Sequence, residues 1–333
     1  MPPQRRSDRL IQDRAKLQSP AKSTFLRIGT RGSPLALYQA RLVRQLLGEH
    51  HGVAADRIDI QVIKTEGDRT QAGNVSLKEI GGKGLFSKEI EAALLESQID
   101  IGVHSAKDMA TTLPDGLIMP VFLEREDPRD AFISLKATTL EGLPEGARVG
   151  TSSLRRAAQL RFLRPDIEIV EFRGNVDTRL QKLRDNVADA TFLALAGLKR
   201  LGKQSHVSSI LDPGIFPTAP AQGAIGIEYR ASDDETAGKL APLNHLPTFQ
   251  QVTAERALLA RLDGSCRTPI GVHTIIEDGL LTMNAEVLSP DGAERHRETV
   301  AGLPENAELL GNELGLALID MAGQAFFDRL RGL

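Results

Sequence analysis

Short apolar runs alternate with amphipathic stretches twice before residue 230, and this alternation restricts the chain to a few architectures. In the first round, FLRIG (25–29), IDIQVI (58–63) and IDIGVHS (99–105) read as strands. Between them, TRGSPLALYQARLVRQLL supplies a helix with Ser33 as N-cap, Pro34 at the first helical position and Leu35, Tyr38, Leu42 and Leu46 along one stripe. LFSKEIEAALLESQ is a second amphipathic helix. In the second round, ARVG (147–150), IEIVEF (167–172) and ADATFLAL (188–195) are strands, with SSLRRAAQLRFLR (152–164) and NVDTRLQKLRD as helices. Such alternation predicts largely parallel α/β sheets. AQGAIGIEY (221–229) is a late strand, of the kind that crosses back to the first lobe in two-lobed α/β proteins.

The pattern changes after about residue 245. TFQQVTAERALLARL (248–262) reads as a helix, and the turn signals EDG and SPDG divide the following β-like runs into an antiparallel meander. Residues 305–331 read as one long final helix. The expected layout is a mobile leader over 1–24, a first α/β domain over 25–123 plus 221–241, a second over 124–220, and a small α+β domain over 242–333. There is no run of 18 apolar residues to cross a membrane. A net charge of −3, with two tyrosines and no tryptophan, argues against a nucleic-acid partner, so any basic site must be local. The single cysteine cannot form an internal disulfide, which fits a reducing compartment.

Three features carry chemistry. HSAKD (104–108) ends a strand, where open α/β sheets face their ligand crevice, and makes Asp108 a candidate acid, base or charge stabiliser. The alternative is that Asp108 only caps the next segment. Secondly, Arg31, Arg155, Arg156, Arg173 and Arg179 recur at helix starts and strand ends, beside hydroxyls such as Ser153. A helix N-terminus favours anions, so cations there point to a carboxylate or phosphate ligand rather than to the helix itself. GGKGLF (81–86) lacks the spacing of a P-loop. Thirdly, Cys266 sits in GSCRTP between Gly264 and Pro269, a loop context rather than a core one. The histidines are scattered and nothing has metal-ligand spacing, whereas a cysteine–histidine pair meeting in space stays open.

Taken in order, IGTRGSPLAL, EGDRT, GGKGLF, HSAKD, REDPRDAF, GTSSLRR, FRGNVDTR, AGLKRLG, PAQGAIGIE and GSCRTPIG closely resemble the hydroxymethylbilane synthase, or porphobilinogen deaminase, family across residues 25–330. The resemblance implies two periplasmic-binding-protein-like α/β lobes plus a small C-terminal α+β domain with a three-stranded antiparallel sheet. It implies a cytoplasmic, monomeric transferase of tetrapyrrole biosynthesis with no metal, no nucleic acid and no membrane partner. Such an enzyme joins four molecules of porphobilinogen into linear hydroxymethylbilane on a dipyrromethane cofactor. By motif match, Cys266 carries that cofactor through a thioether and Asp108 is catalytic. Ser105, Lys107, Lys83, Ser153, Arg155, Arg156 and Arg173 match cofactor contacts, and Arg31, Ser33, Arg179, Arg200 and Gln222 match substrate contacts. Ala106, Ala110, Glu79, Ser265 and the PAPAQG run depart from the commoner family pattern, and none of these removes a matched charged group. The competing classes are a two-lobed anion-binding module, which would not need Cys266, and an inactive family member, against which the presence of both Asp108 and Cys266 speaks.

Overall fold

The computed structural model describes residues 24–68, 86–262 and 268–331. Glu79, Lys83, Ser265 and Cys266, with residues 1–23 of the expected leader, lie outside the described residues. Two five-stranded sheets and one three-stranded sheet organise the chain. The first sheet takes β1 (Leu26–Thr30), β2 (Ile58–Val62), β3 (Ile101–Ser105) and β4 (Leu117–Phe122). The second takes β5 (Asp130–Ser134), β6 (Arg148–Gly150), β7 (Glu168–Val170), β8 (Ala190–Ala194) and β9 (Ser209–Ile210). The chain then returns, and β10 (Ile225–Arg230) enters the first sheet.

The strand orders are β2-β1-β3-β10-β4 and β7-β6-β8-β5-β9. In each sheet four strands run in one direction, and the strand reached by crossing from the other lobe runs antiparallel to its neighbours. The two crossing segments therefore lie side by side at the junction. Glu126 N donates to Gly223 O at 3.3 Å, and Arg125 Nε donates to Gln222 O at 2.9 Å.

Helices α1 (Pro34–His51) and α2 (Lys88–Leu95) pack in the first lobe, and α3 (Leu154–Leu163), α4 (Val176–Arg184) and α5 (Leu195–Arg200) in the second. Ser33 caps α1 through Ala36 N at 3.3 Å, ahead of Pro34. Ser153 caps α3 through Arg156 N and Asn175 caps α4 through Thr178 N. These caps fix where each helix starts, and so where the residues of its first turn project. After α6 (Asp234–Leu240), α7 (Leu246–Arg261) leads to the antiparallel strands β11 (Ile270–Glu277), β12 (Leu280–Leu288) and β13 (Arg295–Gly302). Their inner face, with Val272, Met283, Ala285 and Val287, packs on Ala254, Leu258 and Leu314.

Two expectations need correction. The last helix is two, α8 (Ala307–Ala322) and α9 (Gln324–Arg331), because Gly323 at φ +78° leaves helical space. Phe326 and Phe327 thereby return to the core of the third unit. IEIVEF pairs only over β7. β4 was not among the strands read from the sequence; its Pro120 is tolerated because β4 is an edge.

The junction permits no side chain at residue 223. Gly223 has φ +89°, and a Cβ there would meet Glu126 O at 2.2 Å, backbone against backbone. Gly223→Ala should therefore destabilise the protein by more than about 2 kcal/mol, since a strained φ and a clash combine. Denaturant unfolding measures this, and a variant of parental stability would show that the two crossings are not in fixed contact.

Candidate active site

The site is built on the two crossings. Asp130 opens β5, has a fully buried side chain and accepts from Arg155 and Arg156 in the first turn of α3. Arg155 Nη2 reaches one oxygen at 2.8 Å and Arg156 Nη2 the other at 2.6 Å. Gln222 Nε2 adds a bond to Asp130 at 2.9 Å and one to Pro128 O at 2.7 Å. Its Oε1 accepts from Lys107 Nζ, on the first lobe, at 3.2 Å. A chain of polar contacts thus runs from the residue beside Asp108, through Gln222, to the arginine pair of the second lobe.

Burial would raise the Asp130 carboxyl, but the charges of Arg155 and Arg156 and the bonds from Arg156 and Gln222 hold it well below the usual carboxylate range. One carboxylate faces two guanidiniums, so the cluster stays cationic. Burial lowers the Arg155 guanidinium, helped by repulsion from Arg156 and opposed by Asp130. Burial and Arg156 together push Arg179 down to about 10. Lys107 reaches the cleft, but crowding by its walls pushes its ammonium down to about 8, against the pull of Asp108; water in the cleft moderates that effect. Arg155 Nε and Arg156 Nε are buried without a hydrogen-bond partner among the described residues.

Arg200, at the end of α5, donates to Gly223 O at 2.6 Å. Burial lowers its guanidinium, and Glu126 opposes the effect. Arg179 Nε is tied to Gly174 O at 2.9 Å. Arg173 bonds Glu171 at 2.5 Å. Ser153 serves as the α3 cap.

The first lobe supplies the opposite bank. Arg31, Ser33, Ser105, Asp108, Gln39 and Phe86 line one recess. Ser105 ends β3, and a 3₁₀ turn over Ala106–Asp108 follows, anchored by Ala106 N to Ala224 O at 3.1 Å. This turn lifts Asp108 out of the sheet to an exposed position, where its carboxylate has no hydrogen-bond partner among the described residues. Gln39 Nε2 donates to Ser105 Oγ at 2.8 Å. Arg31 stacks on Phe86, 4.1 Å from the ring centre, and pairs with Asp68 at 2.5 Å.

The matched residues Arg155, Arg156, Gln222 and Lys107 thus meet around Asp130, while Arg31, Ser33, Ser105 and Asp108 share the first-lobe recess. Gln222, matched as a substrate contact, is 1% exposed, and both ends of its amide are bonded within the protein. Sequence reasoning missed Asp130 as a site residue. Its signal was a carboxylate at the head of the otherwise apolar DAFI run. Among the described residues no group of side chains could hold a metal ion, and no helix is long and apolar enough to cross a membrane.

Two family models match the chain. One, described as porphobilinogen deaminase, dipyromethane cofactor binding domain, covers residues 26–238. The other, the porphobilinogen deaminase C-terminal domain, covers residues 249–320, a span that includes Cys266. A porphobilinogen deaminase of Paracoccus denitrificans is 50% identical over 311 residues, which is 93% of this chain and 99% of that protein. Among solved structures, a periplasmic substrate-binding protein of an ABC transporter from Coxiella burnetii aligns at 14% identity and TM-score 0.40, over 69% of this chain and 96% of its own. A nutrient-binding protein from Burkholderia cenocepacia, bound to methionine, aligns at 15% identity and TM-score 0.39, over 68% and 93%.

If Asp130 neutralises the arginine pair, Asp130→Asn should cost about 3–5 kcal/mol, the usual penalty for leaving buried charges uncompensated. Because the folded-state pKa is depressed, the Asp130 contribution is complete above its unfolded value of about 4 and is lost as pH falls through the folded one. The variant should therefore lose less stability than the parent on acidification below that value. Urea unfolding at neutral and acid pH reads both effects; equal acid sensitivity in the two chains would contradict this charge assignment.

Proposed function

The chain belongs to the porphobilinogen deaminase family, and from that premise we propose the parts its residues take in making hydroxymethylbilane. The enzyme is a transferase that joins four porphobilinogen molecules head to tail, with loss of ammonia at each addition. The observation that carries the assignment of residues is the convergence of Lys107 and the Arg155–Arg156 pair on one buried carboxylate through Gln222. Two guanidinium nitrogens there are left without hydrogen-bond partners among the described residues.

That donor set fits a dipyrromethane cofactor. Its acetate and propionate groups are anions, and the bank offers Lys107, Arg155, Arg156 and Arg179 against the single buried carboxylate of Asp130. At ~4 Å and an effective dielectric of ~20, each such pair is worth about 4 kcal/mol before desolvation. Lys107, Arg155, Arg156 and Ser105 hold the cofactor carboxylates, with Lys83, Ser153 and Arg173 as further contacts. When bound, dipyrromethane supplies the nucleophilic pyrrole carbon from which the product chain is extended.

Cys266 is the covalent anchor. The strand that follows it, β11, is tied at Val272 to Thr218 by paired backbone bonds of 2.8 and 3.1 Å. The adjacent Pro217 O accepts from Arg155 at 2.7 Å. β11, which begins four residues after Cys266, is therefore fastened beside Arg155.

Asp108 faces the same cleft from the first lobe. Its carboxylate stabilises the positive charge that develops on the substrate as the aminomethyl nitrogen departs, and then takes up the proton released from the attacked pyrrole carbon. Arg31 and Ser33 in the same recess hold the incoming substrate, and Arg179 and Arg200 hold the lengthening chain. An anion-binding module would use the same arginines but would need neither Asp108 nor Cys266.

Two measurements separate these readings. The purified chain should exceed its polypeptide mass by two pyrrole units, and Cys266→Ser should abolish the increment; an unmodified but active chain would sink the proposal. Asp108→Asn should lower single-turnover addition of porphobilinogen by roughly 10²–10³-fold, by analogy with loss of one preorganised charge stabiliser. Asp108→Glu should retain more activity than Asp108→Asn. Parental rates in Asp108→Asn would reduce the aspartate to a cap.

A further inference from the structure

Gln159 lies on α3, one turn beyond Arg155, and is 2% exposed. Its Oε1 accepts from Arg155 Nη1 at 2.8 Å. Its Nε2 donates to Pro217 O at 2.8 Å and to Glu286 Oε1, in β12, at 2.7 Å. Glu286 is itself buried and accepts from Arg295 at 2.8 Å and Arg297 at 2.6 Å through its other oxygen. The guanidinium is donor-only and the carboxylate acceptor-only, so the amide can face only one way. It bridges a buried cation of the second lobe and a buried anion of the third unit.

The same amide touches β11. Gly271 pairs in register with Glu286, and a Cβ at Gly271 would come within 3.0 Å of both Gln159 Nε2 and Pro217 Cβ. Gln159 is therefore in contact with the arginine pair, with the crossing segment and with the strand five residues beyond Cys266. If the amide were lost, Arg155 would keep Asp130 and Pro217, and Glu286 would keep its two arginines. Each side stays charge-satisfied, and the connection between them is what is lost.

We propose that Gln159 is a positioning residue that fixes the arginine pair relative to the strand following Cys266, and so governs loading of the cofactor. The proposal rests on the function given above. Gln159 does not touch the reacting atoms, and the chemistry of each addition does not pass through it.

The test uses Gln159→Leu, which keeps the size but neither donor nor acceptor, and Gln159→Glu with and without Glu286→Gln. The double exchange reverses donor and acceptor along the bridge while conserving net charge. Two quantities are read on full-length protein: the fraction carrying the cofactor mass, and the gap in melting midpoint between each chain and its Cys266→Ala counterpart. Gln159→Leu should lower loading severalfold and narrow the gap by about 1–2 °C, the effect of one net hydrogen bond in a chain of this size. Gln159→Glu, which sets carboxylate against carboxylate and removes the donor to Pro217 O, should do at least as much, and adding Glu286→Gln should recover a large part of both readings by rebuilding the bridge to β12. Unchanged loading, with midpoints falling equally in both backgrounds, would overturn the proposal, because a purely structural role gives that result. If Gln159→Leu does not fold, recovery of loading on adding Glu286→Gln decides the matter, and no recovery overturns it. A parental chain without any cofactor mass contradicts the function and this inference together; a loaded parent with normally loaded variants contradicts this inference alone.

Discussion

The buried contact of Asp130 with Arg155 and Arg156 is the interaction on which the rest of the structure depends. Three charges out of water are tolerated only because the carboxylate accepts from both guanidiniums and from Gln222. That geometry requires β5 to begin where the chain enters the second lobe, and α3 to start with its first turn facing β5. It also requires the returning segment to bring Gln222 alongside. The cap at Ser153 and the side-chain-free approach at Gly223 are the local means by which the sequence meets these demands. The cluster stabilises the fold only in part. Its excess cation also keeps the bank attractive to carboxylates when folding is complete.

The site divides its labour between lobes. The first presents Asp108 from a short turn, as a negative charge in an open cleft. The second presents the buried pair Arg155 and Arg156, with Arg179 beside them. Were these charges in direct contact they would neutralise one another, and neither would be available to a ligand. Neutral amides keep the islands connected without merging them: Gln222 between Lys107 and Asp130, and Gln159 between Arg155 and Glu286. A third fastening, Arg125 to Glu255 at 2.7 and 3.0 Å, ties the first crossing to α7. Ala221 N reaches Glu255 as well, so both crossings meet the third unit at one buried carboxylate.

Local signals were read well from the sequence. Ser33 with Pro34 located the start of α1, the fully buried strands β3 and β8 read as apolar runs, and EDG and SPDG marked the meander. The fold class followed from them. Features set by distant contacts were not legible. Asp130 looks like any loop carboxylate until β5, α3 and residue 222 meet around it. Arg155 and Arg156 read as ligand contacts, yet their Nη groups go mainly to Asp130, Gln159 and backbone carbonyls, leaving the Nε atoms open. Gln222 read as a substrate contact because its motif matched, whereas its role in holding the junction needs three segments of chain. Gly323 within a helical pattern gave too weak a signal to split the last helix.

The central claim is that one polypeptide both holds the growing chain through Cys266 and gathers its carboxylates on the Asp130-centred bank. Intact mass of the parental protein after brief exposure to limiting porphobilinogen tests it most directly. The account predicts a ladder of species above the resting mass, each rung one pyrrole unit higher, up to four, and a return to the resting mass as product is released. A single unshifted mass while hydroxymethylbilane accumulates would contradict it.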